Sequence, residues 1–260
     1  MSLESELLSC AMEAAMAAGQ HARRNWRRRT EAISLSPHDV KLKLDIECQE
    51  RATATIRKRF PKHAVLGEET PSAGPRGHAS RWLWIIDPID GTVNFSHGLP
   101  LWCCSVAVRR AGATIAGAVY APLLGELYAA GPDSPATLNG VRIKVSDVSS
   151  VERALVLTGL DKKAQPGKKP FAFFERISQT VQRTRVLGSA ALDICQVACG
   201  RADGYFETGI YLWDIAAADL IVRSAGGRAE TLQTFEGHRL SFAASNGRIH
   251  SELKRLVGCA

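Results

Sequence analysis

Residues 82–97 read WLWIIDPIDGTVNFSH, and the rest of the chain is organised around them. Trp82, Leu83, Trp84, Ile85 and Ile86 form an almost wholly apolar run, rich in aromatic and β-branched side chains and bounded by Asp87-Pro88. Such a run predicts a buried strand. Pro88 has no backbone N–H, so the strand is expected to stop there, with Asp87 and Asp90 in a tight turn on either side of Pro88-Ile89. Gly91 permits close backbone approach, and Thr92 follows where the free N–H groups of a new helix can meet an anion. One turn thus gathers carboxylates suited to a hard cation and donors suited to a phosphate.

Asp-Pro and Asp-Gly are also ordinary turn dipeptides, so this turn alone does not separate architecture from chemistry. Two more acidic clusters tip the balance. Gly67-Glu68-Glu69-Thr70 follows the apolar Ala64-Val65-Leu66, and Trp213-Asp214 opens an apolar stretch that ends at Gly226-Gly227. Three acidic clusters, each at the end of an apolar element, are poorly explained as solvated surface. Oxygen ligands without paired histidines or thiolates favour magnesium or manganese over zinc. Four acids around one cavity repel one another, so cation binding is expected to stabilise the fold as well as enable chemistry.

A chain of 260 residues can bury a substantial core, and 45% hydrophobic with 23% charged residues describes an ordinary globule. No low-complexity tract or repeat is present, which excludes disordered and solenoid classes. The net charge of +7 favours anionic substrates, nucleic acid or acidic partners without choosing among them. Seven cysteines without a C-x-x-C spacing read as free thiols in a reducing cytoplasm. Glu4, Glu6 and Glu13 precede any basic residue, unlike a secretory signal, and no apolar run approaches the ~20 residues of a membrane span. A cytoplasmic protein without membrane association is expected.

Apolar periodicity predicts a helix over residues 3–26 that ends in Arg23, Arg24, Arg27, Arg28 and Arg29. These arginines suit first a helix C-terminus and a solvated loop; the alternative is a contact with RNA or an acidic partner, to which Trp26 adds an aromatic. After a loop at 34–38, Asp45 is expected at the N-cap of a helix carrying Ile46, Gln49, Thr53, Ile56 and Phe60 on one face. A short strand at 64–66, a loop at 70–80, successive strands through about residue 130 and an Asn139-Gly140 hairpin complete an α+β half, residues 1–150. Strands and helices then alternate, as in a smaller α/β half, residues 151–260. There Gly188-Ser189-Ala190 precedes a helix, whose start either presents donors to a ligand or is capped by Ser189.

Two segments, WIIDPIDGTVNFSH at 84–97 and WDIAAADLIVRSAGG at 213–227, resemble the signatures of the inositol monophosphatase family of magnesium-dependent, lithium-sensitive phosphatases, and the resemblance covers almost all of the chain. It implies an α+β fold, a layered αβαβα sandwich of the inositol monophosphatase/fructose-1,6-bisphosphatase type, and a homodimer. It implies two or three Mg2+ ions, with Mn2+ as a substitute, held by Glu68, Asp87, the Ile89 carbonyl, Asp90 and Asp214. Asp45, Glu69 and Thr92 would activate the attacking water. Asp90, Gly91, Thr92, Ser189, Ala190, Glu207 and Asp214 would contact the phosphate ester, with Glu207 and Ala190 facing ring hydroxyls. The implied reaction is hydrolysis of inositol monophosphate; histidinol phosphate, other sugar or nucleotide phosphates, and a role in binding RNA or the transcription machinery are the alternatives. One departure stands out. Animal members carry a lysine in the loop before the aspartate matched by Asp45, whereas Ser34 stands there and Lys41 and Lys43 lie nearby, out of register.

Overall fold

The computed structural model describes residues 2–36, 39–70, 81–132, 134–160 and 172–258. The first half opens with helix α1 (Leu3–Arg24), a 3-10 turn (Trp26–Arg28), the hairpin β1 (Ala32–Ser36) and β2 (Asp39–Leu42), and helix α2 (Lys43–Arg59). Then come β3 (Ala64–Gly67), β4 (Trp82–Asp90), the short helix α3 (Thr92–His97), β5 (Cys103–Arg110), β6 (Ala113–Ala121), β7 (Glu126–Gly131), β8 (Ser134–Leu138) and β9 (Val141–Arg142). The remainder comprises β10 (Leu155–Thr158), α4 (Ala172–Thr180), β11 (Arg183–Arg185), α5 (Ala190–Ala198), β12 (Gly204–Tyr211), α6 (Leu212–Ser224), β13 (Arg228–Thr234), β14 (Arg239–Ser245) and α7 (His250–Val257).

Strands β3 to β9 form a seven-stranded sheet in chain order, parallel only at β3–β4, and a second sheet runs β11-β10-β12-β14-β13. Side chains alternate across each strand, which dictates the layers. On β4 and β5, Trp84, Ile86, Cys104, Val106 and Val108 pack against α1 and α2, while Ile85, Cys103 and Ala107 face α5 and α6. On the second sheet, Leu157, Tyr205, Phe242 and Ala244 face α5 and α6, whereas Val156, Phe206 and Ala243 pack against α4 and α7. Helices α5 and α6 are thus sandwiched between two sheets, giving the expected αβαβα layering. Because both faces of each sheet are covered, the central strands carry apolar residues at consecutive positions rather than in alternation.

Small residues set the close approach of the layers. A Cβ on Gly117 of β6 would lie 2.9 Å from the Cα of Ala217 on α6, so the helix rests almost on the strand backbone. The alanine-rich face of α1 is buried in the same manner through Ala11, Ala14, Ala15, Ala18 and Ala22.

The backbone departs from expectation at several places. Strand β4 does not stop at Pro88; it continues to Asp90 through an irregular register in which Asp87 pairs with Ser105 and Asp90 with Cys103. Pro88 and Ile89 thus oppose the single Cys104 on the partner, a bulge that accommodates the proline and re-aims the acids on either side of it. The expected loop at 34–38 is largely the β1–β2 hairpin. Strand β13, whose sequence RAETLQT is mostly polar, had no apolar signal. Asn139 and Gly140 both have positive φ, 51° and 78°, as the predicted tight hairpin turn requires. Six cysteines are free among the described residues; Cys259 and most of the expected 70–80 loop lie outside them. No helix among the described residues is long and apolar enough to cross a membrane.

Candidate active site

The site forms where β3 and β4 end and where α2, α5 and α6 begin. Asp45, expected at an N-cap, stands instead at the third position of α2 and reaches back, its Oδ2 accepting from the Leu42 N–H at 2.7 Å. Asp214 holds the same position in α6 and accepts from the Tyr211 N–H at 2.8 Å. In each case the acid satisfies an otherwise orphaned helix-end donor, which fixes its carboxylate. Cap and site are one arrangement.

Asp90 is anchored more heavily. Its carboxylate accepts from Ser189 Oγ at 2.6 Å, from the Ala190 and Ala191 N–H groups at 3.1 and 2.7 Å, and weakly from Cys103 Sγ at 3.5 Å. Ser189 therefore does not cap α5 with its own side chain; Asp90, from the far half of the chain, caps that helix, and Ser189 assists it. The negative carboxylate meets the positive end of the α5 dipole.

Glu68 and Asp87 share a hydrogen bond, and Asp87 is 2% exposed with its Oδ1 buried and unpartnered. Burial, then the charges of Asp45 and Glu69, push the Glu68 carboxyl up to about 8. Asp87 is raised well above the usual range by burial, then by Glu68, Asp90, Asp214 and Asp45. Asp214 is raised by burial, Asp90 and Glu68, and Asp90 chiefly by burial. Five carboxyls, those of Asp45, Glu68, Asp87, Asp90 and Asp214, therefore repel one another in a single buried cluster. Among the described residues no three His, Cys, Asp or Glu side chains stand ready as a closed cation cage. The donor chemistry nevertheless fits a hard divalent cation, because every ligand candidate is oxygen and Asp87 Oδ1 is an orphan that a cation would satisfy.

The turn after β4 completes this corner. Gly91 has φ +89°, and a Cβ there would meet the carbonyls of Leu101 and Gly188 at 3.0 and 3.1 Å, so glycine is required both conformationally and sterically. Thr92 Oγ1 donates to the Ile89 carbonyl at 2.9 Å. Across the cluster lies Glu207, which accepts from the Tyr205 hydroxyl at 2.6 Å and overlies Gly159, where a Cβ would stand 1.8 Å from Glu207 Oε1. Ala190, 8% exposed, sits at the start of α5 beside Asp90.

Several supporting residues escaped the sequence reading. Gln49, expected simply on the packing face of α2, accepts from the Glu69 N–H at 3.0 Å and donates to Thr70 Oγ1 at 2.7 Å, so it holds the acidic turn. Asn94 Nδ2 donates to the carbonyls of Leu101 and Leu187, at 2.7 and 2.6 Å, pinning α3 to two loops. Asp193 of α5 is 2% exposed, and burial followed by the charges of Asp90 and Glu207 raises its carboxyl well above the usual range. Lys41 lies directly across the hairpin from Ser34, and its ammonium ion-pairs with Glu69. None of these has a local motif; only the residue types hinted at them.

The arginine segment is partly consumed by the fold. Arg28 is tied to Glu31 and Glu47, with its nearest contact to Glu47 at 2.6 Å, and Arg29 lies over the Trp26 ring. Trp26 itself packs on Phe95 and Trp102, at 5.0 and 6.0 Å between ring centroids. Arg23, Arg24 and Arg27 are the exposed members.

A sandwich of this topology with an acid cluster at the bulge of β4 defines a class: the chain belongs to the inositol monophosphatase family, whose model matches residues 3–257. It is thereby a phosphatase of that superfamily. Its relatives include the "Nus factor SuhB" of Pasteurella multocida, 39% identical over 85% of this chain and 83% of that protein. The "Inositol-1-monophosphatase" of Synechocystis is 35% identical over 96% of this chain and 88% of that one. The solved inositol monophosphatase of Anabaena superposes with a TM-score of 0.86 at 33% identity, covering 98% of this chain and 96% of the other.

Proposed function

We propose that this chain is a Mg2+-dependent phosphomonoesterase that hydrolyses an inositol monophosphate, converting myo-inositol 1-phosphate to myo-inositol and phosphate. The observation that carries the proposal is the convergence of Glu68, Asp87, Asp90 and Asp214 with Asp45 and Glu69 beside a turn that only Gly91 can make. Glu68, Asp87, Asp90, Asp214 and the Ile89 carbonyl would hold two or three Mg2+ ions, or Mn2+ in their place. When bound, such ions supply Lewis acidity, acidifying a water and stabilising charge on the leaving oxygen.

The chain's own residues do the rest. Glu69, with Thr92 and Asp45, orients the water and accepts its proton for in-line attack. The backbone at Gly91 and Thr92 cradles the phosphate, with Ser189 holding Asp90 in place. Glu207, fixed by Tyr205, faces the hydroxyls of the polyol together with Ala190. Residues 1–150 supply most of the metal ligands and residues 151–260 complete the site, in a cytoplasmic homodimer.

Phosphate release from inositol 1-phosphate, with and without Mg2+, beside histidinol phosphate and fructose 1,6-bisphosphate, tests this, with Asp90→Asn as control. Metal-dependent preference for inositol 1-phosphate is the expected result. Preference for another ester keeps the site and replaces the substrate; no turnover of any ester removes the enzyme assignment. A second role, contact with RNA or the transcription machinery, is favoured by the resemblance to a protein named as a Nus factor and by exposed Arg23, Arg24 and Arg27. Substituting those three should abolish partner binding and spare turnover; retained binding rejects that role.

A further inference from the structure

The acid cluster carries a positive side chain of its own. Lys41 sits on β2, one residue before the Leu42 N–H that anchors Asp45, and its ammonium ion-pairs with Glu69. The Glu69 side chain is 6% exposed, the most buried acid in any ion pair among the described residues, while Lys41 is 38% exposed. The other pairs are largely surface arrangements of the kind that contribute little. This one points inward. Beyond Glu69, the Lys41 ammonium also feels Asp45 and Glu68, and these partners together strengthen its protonation. A long, flexible stem rooted on a two-stranded hairpin lets the charge reach the cluster from the solvent side.

We propose that Lys41 is a resident cation of the acid cluster: it positions Glu69 and supplies, beside Glu68 and Glu69, charge that a loosely held divalent ion would otherwise provide. The proposal rests on the metal-dependent reading above. Its physical content is competition. A fixed ammonium next to two glutamates offsets part of their repulsion and repels a further divalent ion arriving at the same place. The site therefore needs fewer, or less tightly bound, external ions than the same acids without Lys41. In turnover, Lys41 acts through Glu69 and is a positioning residue.

Isothermal titration with Mg2+ alone decides the matter, comparing wild type with Lys41→Met, Lys41→Gln, Lys41→Arg and the exposed control Lys43→Met. Lys41→Met and Lys41→Gln should each bind the weakest ion about tenfold more tightly, or take up one more. Lys41→Arg and Lys43→Met should follow wild type. At saturating Mg2+, Lys41→Met should lower kcat several-fold and leave KM for the ester unchanged, because Glu69 loses its positioning partner while the ester's contacts remain. Superimposable wild-type and Lys41→Met isotherms overturn the inference alone. An equal gain in Lys43→Met also overturns it, since the effect would then be net charge. Absence of Mg2+ binding by wild type overturns both this inference and the metal-dependent reading. Should Lys41→Met lose its native circular dichroism, Lys41→Gln carries the same comparison.

Discussion

Removing divalent ions should make stability fall as pH rises, the reverse of the behaviour of ordinary paired carboxylates. The Glu68 carboxyl lies at about 8 in the folded chain against 4.5 for the ordinary group. The native state therefore keeps a proton that the unfolded chain has already lost. The stabilisation of the protonated native state is fully present below pH 4.5 and is lost as pH climbs toward 8. Each such proton is worth about 1.4 kcal/mol per pH unit, so one proton held from pH 5 to pH 8 removes roughly 4 kcal/mol. For a chain of this size that is a fall in Tm of about 10 °C. Thermal melts in chelator at pH 5, 6.5 and 8 measure it, and parallel melts in millimolar Mg2+ should restore the loss at pH 8, because a cation replaces the proton. Calorimetry in buffers of different ionisation enthalpy should also register proton release on Mg2+ binding at pH 7. A chelated Tm that is flat or rising between pH 5 and 8 would refute the electrostatic picture of the cluster.

Three substitutions probe the supports of the site. Ser189→Ala removes the hydroxyl that donates to Asp90 at 2.6 Å, and should weaken Mg2+ binding or turnover by about 10–100-fold in a metal titration, with little change in Tm. Asn94→Ala leaves the carbonyls of Leu101 and Leu187 without their shared donor and should cost about 2 kcal/mol, read as a Tm lower by about 5 °C. Gly159→Ala places a methyl where the Glu207 carboxylate lies, and should raise KM for inositol 1-phosphate about tenfold while p-nitrophenyl phosphate, which has no ring hydroxyls, is little affected. Equal effects on both esters would place the damage in the phosphate corner instead.

What the sequence made legible follows from locality. The aromatic and β-branched run before Asp87, the Asn139-Gly140 turn and the small-residue face of α1 each carry their instruction within a few residues. The acids at 68, 87, 90 and 214 were visible because each sits at one end of an apolar element. What stayed hidden depends on partners far away in the chain. A proline normally ends a strand, and only the pairing of Asp90 with Cys103 shows that a bulge carries β4 past it. Ser189 reads as a cap because serine often is one; Asp90 takes that role from 99 positions away. Strand β13 is polar because its sheet position is at an edge, where burial asks for few apolar residues. Lys41 looked out of register because a hairpin, not a loop, sets it opposite Ser34.

The bond between Asp90 and the start of α5 has a kinetic meaning. The Ala190 N–H and the Asp90 carboxylate are separated by 100 residues, so the site cannot exist until both sheets and the helices between them have been made and docked. Contacts of such sequence separation close late, after local hairpins and helices have formed. During synthesis on the ribosome the acid-rich turn at Asp87 to Asp90 must therefore wait, without the α5 terminus that steadies it, until the next 100 residues have emerged and folded. Catalytic competence arrives last, and a divalent ion that binds only the finished cluster rewards complete folding.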